Sequence, residues 1–279
     1  MKRFQNILYV SQGLNDETDG LKQALSLARN NGAVLSALIM APDLPGNLKE
    51  YEGALDEGLE ASLRDSISKI SQSLDIKEPD QSPEVTISRG KSPGIQIIKS
   101  VLANGYDLVI KETQPAANSS GYKAVDMDLL RKCPCPVWLC RPISKHRQEM
   151  KVAVAIDPEN EQKAGEDLTL QMLQMAQTLS DTCSGELNVV SCWDFEYEDF
   201  LRDNIWVPVP EATLQQASAN VQDTHHAALE TVIRKSAIDN ERSKINHFRG
   251  RPEDVIPKFV ESHNIDILVM GTLARTGIP

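Results

Sequence analysis

Short apolar runs alternate with longer stretches of helical periodicity along the whole chain. In the first half the runs lie near residues 4–10, 34–41, 84–89, 106–111 and 136–140. Each is nearly continuous, the pattern of a parallel strand buried on both faces. Between them the period changes. Residues 17–30 place Leu21, Ala24, Leu25 and Ala28 on one stripe, and residues 50–75 place Leu55, Leu59, Leu63, Ile67, Ile70 and Leu74 on another. Pro93 stands where the first residue of a helix belongs, with Ser92 as its candidate cap, and Pro252 holds the same place later on. This alternation predicts an α/β fold with a doubly wound parallel sheet and right-handed crossovers.

The unit is written twice. Ser88-Arg89-Gly90-Lys91-Ser92-Pro93, a helical stretch and Tyr106-Asp107-Leu108-Val109-Ile110 are answered by Phe248-Arg249-Gly250-Arg251-Pro252, a similar stretch and Ile265-Asp266-Ile267-Leu268-Val269-Met270. Upstream, Ile7-Leu8-Tyr9-Val10 matches Val152-Ala153-Val154-Ala155, and Leu35-Ser36-Ala37-Leu38 matches Leu187-Asn188-Val189-Val190. A repeat this long is a duplicated domain rather than a solenoid unit. We expect domains at 1–143 and 150–279. The polar, proline-containing segment from Pro142 to Glu149 would join them.

Composition narrows the function. The chain has 279 residues, 41% hydrophobic and 25% charged, which are ordinary globular values. Aromatics at 5% speak against a stacking surface for single-stranded nucleic acid, and a net charge of −11 disfavours nucleic acid and anionic membrane as partners. The longest apolar runs, such as Val34–Ala41, are far below a membrane span, and the N-terminus has no apolar core of a signal peptide. With five cysteines and no export signal, we expect reduced thiols in a cytoplasmic protein.

In open α/β sheets ligands bind beyond the carboxyl ends of the strands, where strand order reverses. In the second half the first strand ends Ala155-Ile156-Asp157-Pro158. The fourth ends Val269-Met270-Gly271 and continues Thr272-Leu273-Ala274-Arg275-Thr276-Gly277. Small residues there let a backbone approach a phosphate. In the first half the same places read Val10-Ser11-Gln12 and Ile110-Lys111-Glu112-Thr113. Gln12 answers Asp157 and Glu112 answers Gly271. A carboxylate at a phosphate site repels the ligand and fills the space glycine leaves.

These segments, with Leu129-Leu130-Arg131-Lys132-Cys133-Pro134-Cys135-Pro136-Val137-Trp138 and Gly250-Arg251-Pro252-Glu253-Asp254-Val255-Ile256-Pro257, resemble the universal stress protein family in its tandem two-domain form. The resemblance spans nearly the whole chain in order. It implies two Rossmann-like domains of five parallel strands. In nucleotide-binding members it implies an Asp after strand one, a residue at the end of strand two, and a Gly-x2-Gly-x9-Gly-Ser/Thr loop after strand four.

Carried over, Asp157 matches the strand-one acid, Cys192 the position lining the adenine slot, and Met270 and Gly271 the start of the phosphate loop. Ala155 and Ile156 lead into Asp157. Ala274 stands at the second glycine, and Arg275 and Gly277 follow. The third glycine would fall beyond Pro279, so we expect the second domain to lack its last helix and strand and the end of the loop. The cofactor implied is ATP or AMP. The resemblance also implies pairing of fifth strands, and an apolar edge strand at 136–141 without its partner predicts a homo-oligomer through that strand.

Other features have plainer expectations. Asp107 and Asp266 precede the fourth strands alike and suggest a structural turn or cap. Cys133-Pro134-Cys135 is neither a Cys-x-x-Cys redox pair nor half of a zinc site, and its prolines suggest a rigid lead into strand five. His225 and His226 fall in a predicted helix, diverge by about 100°, and suggest a solvated face. The acidic and aromatic residues from Trp193 to Phe200 line a groove above Cys192 or cover a domain contact. No Gly-x-Ser-x-Gly, Walker or nucleophile–histidine spacing is present, so we expect a binding module rather than an enzyme, with at most slow hydrolysis of bound nucleotide. The alternatives are a structural or partner-binding stress protein without nucleotide, a binder of another hydrophobic small ligand, and an enzyme of the same general fold.

Overall fold

The computed structural model describes residues 4–11, 13, 18–74, 82–113, 124–142, 145–159, 163–204, 206, 208–236, 238–239 and 241–271. The chain divides into two compact units between Ile143 and Ser144. Among the described residues no helix is long and apolar enough to cross a membrane.

The first unit runs β1 (Asn6–Ser11), α1 (Thr18–Asn31), β2 (Val34–Ala41), α2 (Glu52–Ser73), β3 (Glu84–Arg89), α3 (Pro93–Asn104), β4 (Leu108–Glu112), α4 (Ala124–Lys132) and β5 (Val137–Cys140). Its sheet has the order β3-β2-β1-β4-β5, and every pair is parallel. Alternate residues of β1 serve opposite faces. Ile7 and Tyr9 pack with α1 and α2, while Leu8 and Val10 pack with Ile97 and Val101 of α3 and Leu129 of α4. Both faces of this strand are dry, which is why it reads as an unbroken apolar run.

The second unit repeats the plan with β6 (Val152–Ala155), α5 (Lys163–Asp181), β7 (Leu187–Trp193), a short α6 (Glu198–Arg202), α7 (Glu211–Ser236), β8 (Ser243–Arg249), α8 (Pro252–His263) and β9 (Ile267–Met270). Its sheet is β8-β7-β6-β9, four described strands, again all parallel. In both units the order reverses beside the first strand.

The duplication reaches individual contacts. Asp107 accepts hydrogen bonds from the backbone of Gln5 (2.7 Å) and Asn6 (3.1 Å), and Asp266 accepts one from the backbone of Lys151 (2.9 Å). Each carboxylate ties the start of the fourth strand to the start of the first, the structural role the sequence suggested. Arg89 pairs with Asp56 of α2, and its counterpart Arg249 pairs with Glu198 of α6 while lying over the Trp193 ring. Gly90 and Gly250 have φ of 151° and 130°, a backbone that side chains disfavour. Each turns the chain from strand to helix, and Pro93 and Pro252 then start those helices.

Some expectations need correction. Ser92 occupies the cap position of α3, but its side chain makes no capping hydrogen bond. Leu55 is exposed, because only the later part of α2, with Leu63 and Ile67, is buried. Within the expected linker segment, Lys145 pairs with Asp266 at 2.8 Å, and Arg147 donates to Thr182 at 2.9 Å.

Candidate functional site

The candidate site lies at the carboxyl ends of β6, β7 and β9. Parallel register puts Ala155, Val190 and Met270 side by side across the three strands. Just beyond, Ile156 donates its backbone N–H to Val190 (3.0 Å), and the buried Ser191 hydroxyl donates to the Ile156 carbonyl (3.1 Å). This crosslink holds the two strand ends rigidly. Ala155 and Ile156 are buried, Asp157 is exposed, and Cys192 is half-buried with its thiol pushed up by burial.

The structure thus brings Ala155, Ile156, Asp157, Cys192, Met270 and Gly271 to one sheet end. Ala274, Arg275 and Gly277 lie outside the described residues, as does Gln12. Asp157 Oδ1 accepts a hydrogen bond from the backbone of Glu159 at 3.0 Å, which closes a local turn. Its carboxylate therefore has a structural duty.

Gly271 is exposed, and Met270 beside it is 56% exposed. The direction a side chain would take at Gly271 is filled, however. A Cβ there would sit 2.5 Å from the Met172 sulfur and 3.1 Å from Leu168, both on α5. A side chain at Gly271 would have to displace the flexible ends of Met172 and Leu168. The space we expected glycine to leave for an anion is, on that side, occupied by the chain itself.

In the first unit the same place is occupied by charge. Glu112 ends β4 and reaches the first turn of α1, where its Oε2 accepts the backbone N–H of Gly20 at 3.1 Å. A Cβ on Gly20 would be 3.0 Å from that side chain. The N-terminal turn of a helix offers free N–H groups and a partial positive charge. Glu112 supplies an anion to it from within the chain. Behind it, Lys111 and Asp126 are both buried, with Nζ 2.9 Å from Oδ1. The approach is off the hydrogen-bonding direction. Among the described residues neither Asp126 oxygen receives a directed hydrogen bond, while Lys111 Nζ donates to the Glu112 carbonyl at 2.9 Å.

The sequence reading missed a histidine cluster beside the candidate site. His225 is not on a solvated face: it is 3% exposed. Its Nδ1 lies 2.9 Å from Nε2 of His247 on β8, and the two rings stack 5.0 Å apart. His226 does diverge outward, yet its ring still lies 5.2 Å from His247. Burial lowers the pKa of His225, opposed by the charge of Asp157 and a hydrogen bond to the Cys192 backbone. Burial and the two neighbouring imidazoles lower that of His247. One ring must offer a lone pair to the other, so full protonation of both breaks their bond. The signal was present in the sequence: Leu214, Ser218, His225, Leu229 and Val232 recur at helical spacing and form the buried stripe of α7.

Comparison with known proteins follows the same two-unit division. The model of the universal stress protein family matches residues 3–141 and again 150–279. Universal stress protein E of Photorhabdus laumondii is 27% identical over 286 residues, covering 100% of this chain and 88% of the relative. That of Salmonella typhi is 26% identical over 290 residues, covering 100% and 88%. Among solved structures, a protein of unknown function from Pseudomonas aeruginosa PAO1 superposes with a TM-score of 0.66 at 20% identity, over 99% of this chain and 84% of that one. A universal stress protein from Archaeoglobus fulgidus gives 0.61 at 14% identity, over 96% and 86%. With two family domains in sequence and two parallel sheets of matching plan, the chain belongs to the universal stress protein family, in its tandem form.

Proposed function

We propose that this chain is a stress-response binding module whose second unit takes an adenine nucleotide, ATP or AMP, while the first unit serves as a scaffold. The observation that carries this reading is the contrast at the end of the fourth strand. In the first unit the Glu112 carboxylate occupies the start of α1. In the second unit the corresponding residue, Gly271, brings no side chain and keeps its backbone exposed. Asp157, exposed at the end of β6, would accept a hydrogen bond from ribose or base. Cys192 would line the base, and Met270, Gly271, Ala274, Arg275 and Gly277 would follow the phosphates. The action is binding that biases a loop or an assembly state, with at most slow hydrolysis of the bound nucleotide, in the cytoplasm. Mass spectrometry of small molecules released from freshly purified protein tests it. ATP or AMP at near one equivalent supports the reading, and a flavin or an unrelated hydrophobic molecule overturns it.

A second reading rests on Met172 and Leu168. Because they fill the side-chain direction at Gly271, and Asp157 closes its own turn, the sheet end is also explained as pure structure. On that reading the chain binds protein partners and no nucleotide, and nothing is released on denaturation.

A further inference from the structure

We propose that Cys133 and Cys135 form a reversible two-thiol redox site, oxidised to a disulfide by a hydroperoxide and restored by a thiol reductant. This is independent of any ligand at the second unit. It rests on geometry in the first. The two sulfurs lie 3.7 Å apart, in contact, although a residue separates them in sequence.

The backbone on both sides is fixed. Cys133 follows the last turn of α4 and donates its N–H to the Leu129 carbonyl at 2.9 Å. The Pro136 carbonyl accepts from Val109 of β4 at 3.0 Å. Between these anchors, Pro134 and Pro136 each lock their own φ and restrict the residue before them. The thiols are thus held together by a segment with little freedom. Two residues at this spacing cannot be further apart than about 7 Å between Cα atoms, which overlaps the span a disulfide needs. Both thiols are half-buried and open to a small oxidant, whereas Cys140, five residues on, is 1% exposed.

The pair is also chemically unequal, as attack and resolution require. The hydrogen bond from Cys135 favours the thiolate of Cys133 and brings its pKa down to about 7, against the effect of burial. The same bond and burial push Cys135 up. The Cys133 thiolate attacks the peroxide O–O bond, forming S–O and expelling hydroxide or alkoxide, which takes up a proton. The Cys135 sulfur then attacks the sulfenic sulfur, the S–O bond breaks, and water leaves with the Cys135 proton. Two thiols lose two electrons and one hydroperoxide gains them. Exchange with two equivalents of a small thiol or a dithiol reverses the step.

The test uses the full chain, reduced, freed of reductant and exposed to hydrogen peroxide, then alkylated and mapped by mass spectrometry. The peptide holding both cysteines should lose two hydrogens, escape alkylation and recover with dithiothreitol. In Cys135→Ser, Cys133 should be trapped as a sulfenic acid that dimedone captures. In Cys135→Ala, where no side-chain donor remains, oxidation of Cys133 at pH 7 should be about tenfold slower, because its pKa returns toward that of a free thiol. Two outcomes overturn the proposal. One is a parent protein in which both thiols are still alkylated after exposure to peroxide. The other is over-oxidation of Cys133 without a disulfide.

Discussion

Oε2 of Glu112 accepts a hydrogen bond from the backbone N–H of Gly20, 3.1 Å away and 92 residues earlier in the chain. One side chain thereby caps α1 and occupies the end of β4. Removing it uncovers an N–H of the first turn and a partial positive charge. We expect Glu112→Ala to destabilise the first unit by about 1 kcal/mol. Chemical denaturation of the parent and the variant measures this. An unchanged midpoint would show that the carboxylate does nothing for the helix.

Gly271 separates packing from binding. A methyl there meets the flexible ends of Met172 and Leu168, so Gly271→Ala should cost at most about 1 kcal/mol of stability in the second unit. Combining it with Met172→Ala should recover part of the steric cost in a double-mutant cycle. Loss of ligand affinity at full stability would instead make the glycine a binding requirement.

Lys111 and Asp126 form a buried ion pair with imperfect geometry. Removing one charge strands the other. Asp126→Leu alone should cost about 3–5 kcal/mol, and the double change Lys111→Met with Asp126→Leu should restore most of it. Urea unfolding of both variants checks this, and a mild single variant would mean that the pair is readily hydrated.

The histidine cluster gives the second unit a pH dependence with a definite sign. His225 and His247 have folded pKa values below the usual 6.5. As pH falls through that value the unfolded chain takes up protons before the folded one, so stability is full above it and declines on acidification. Asp157 softens the effect at His225, and His226 sharpens it at His247. Urea midpoints between pH 7.5 and 5 should fall (values chosen to bracket the ordinary histidine range). The slope should be smaller in His225→Leu, and equal slopes in parent and variant would remove the cluster from the account.

Among the described residues β5 is the last strand in its sheet, and it is apolar, with Val137, Trp138 and Leu139 half-buried. We expect self-association through 136–141, weakened by Leu139→Lys. Monomers by light scattering at ~100 μM would contradict it (a concentration suited to modest association).

Much of the fold was legible because strands buried on both faces leave unbroken apolar runs, as Ile7–Val10 and Leu108–Ile110 do. Paired signals such as Asp107 with Asp266 and Gly90 with Gly250 exposed the duplication. What stayed hidden depended on contacts between distant elements. Periodicity placed His225 on a helix, but only the neighbouring β8 turned it into half of a histidine pair. Glu112 looked merely repulsive until α1 was seen to supply its N–H. Gly271 looked like an opening because Met172 and Leu168 come from a helix a hundred residues earlier. The contact between Cys133 and Cys135 follows from a bend that the two prolines set and that no spacing rule describes.

Equilibrium dialysis of the full chain against labelled ATP, for the parent and for Asp157→Ala, tests the division of labour most directly. One equivalent bound by the parent and lost in the variant is the expected result. Two equivalents per chain, binding indifferent to Asp157, or no binding at all would contradict it.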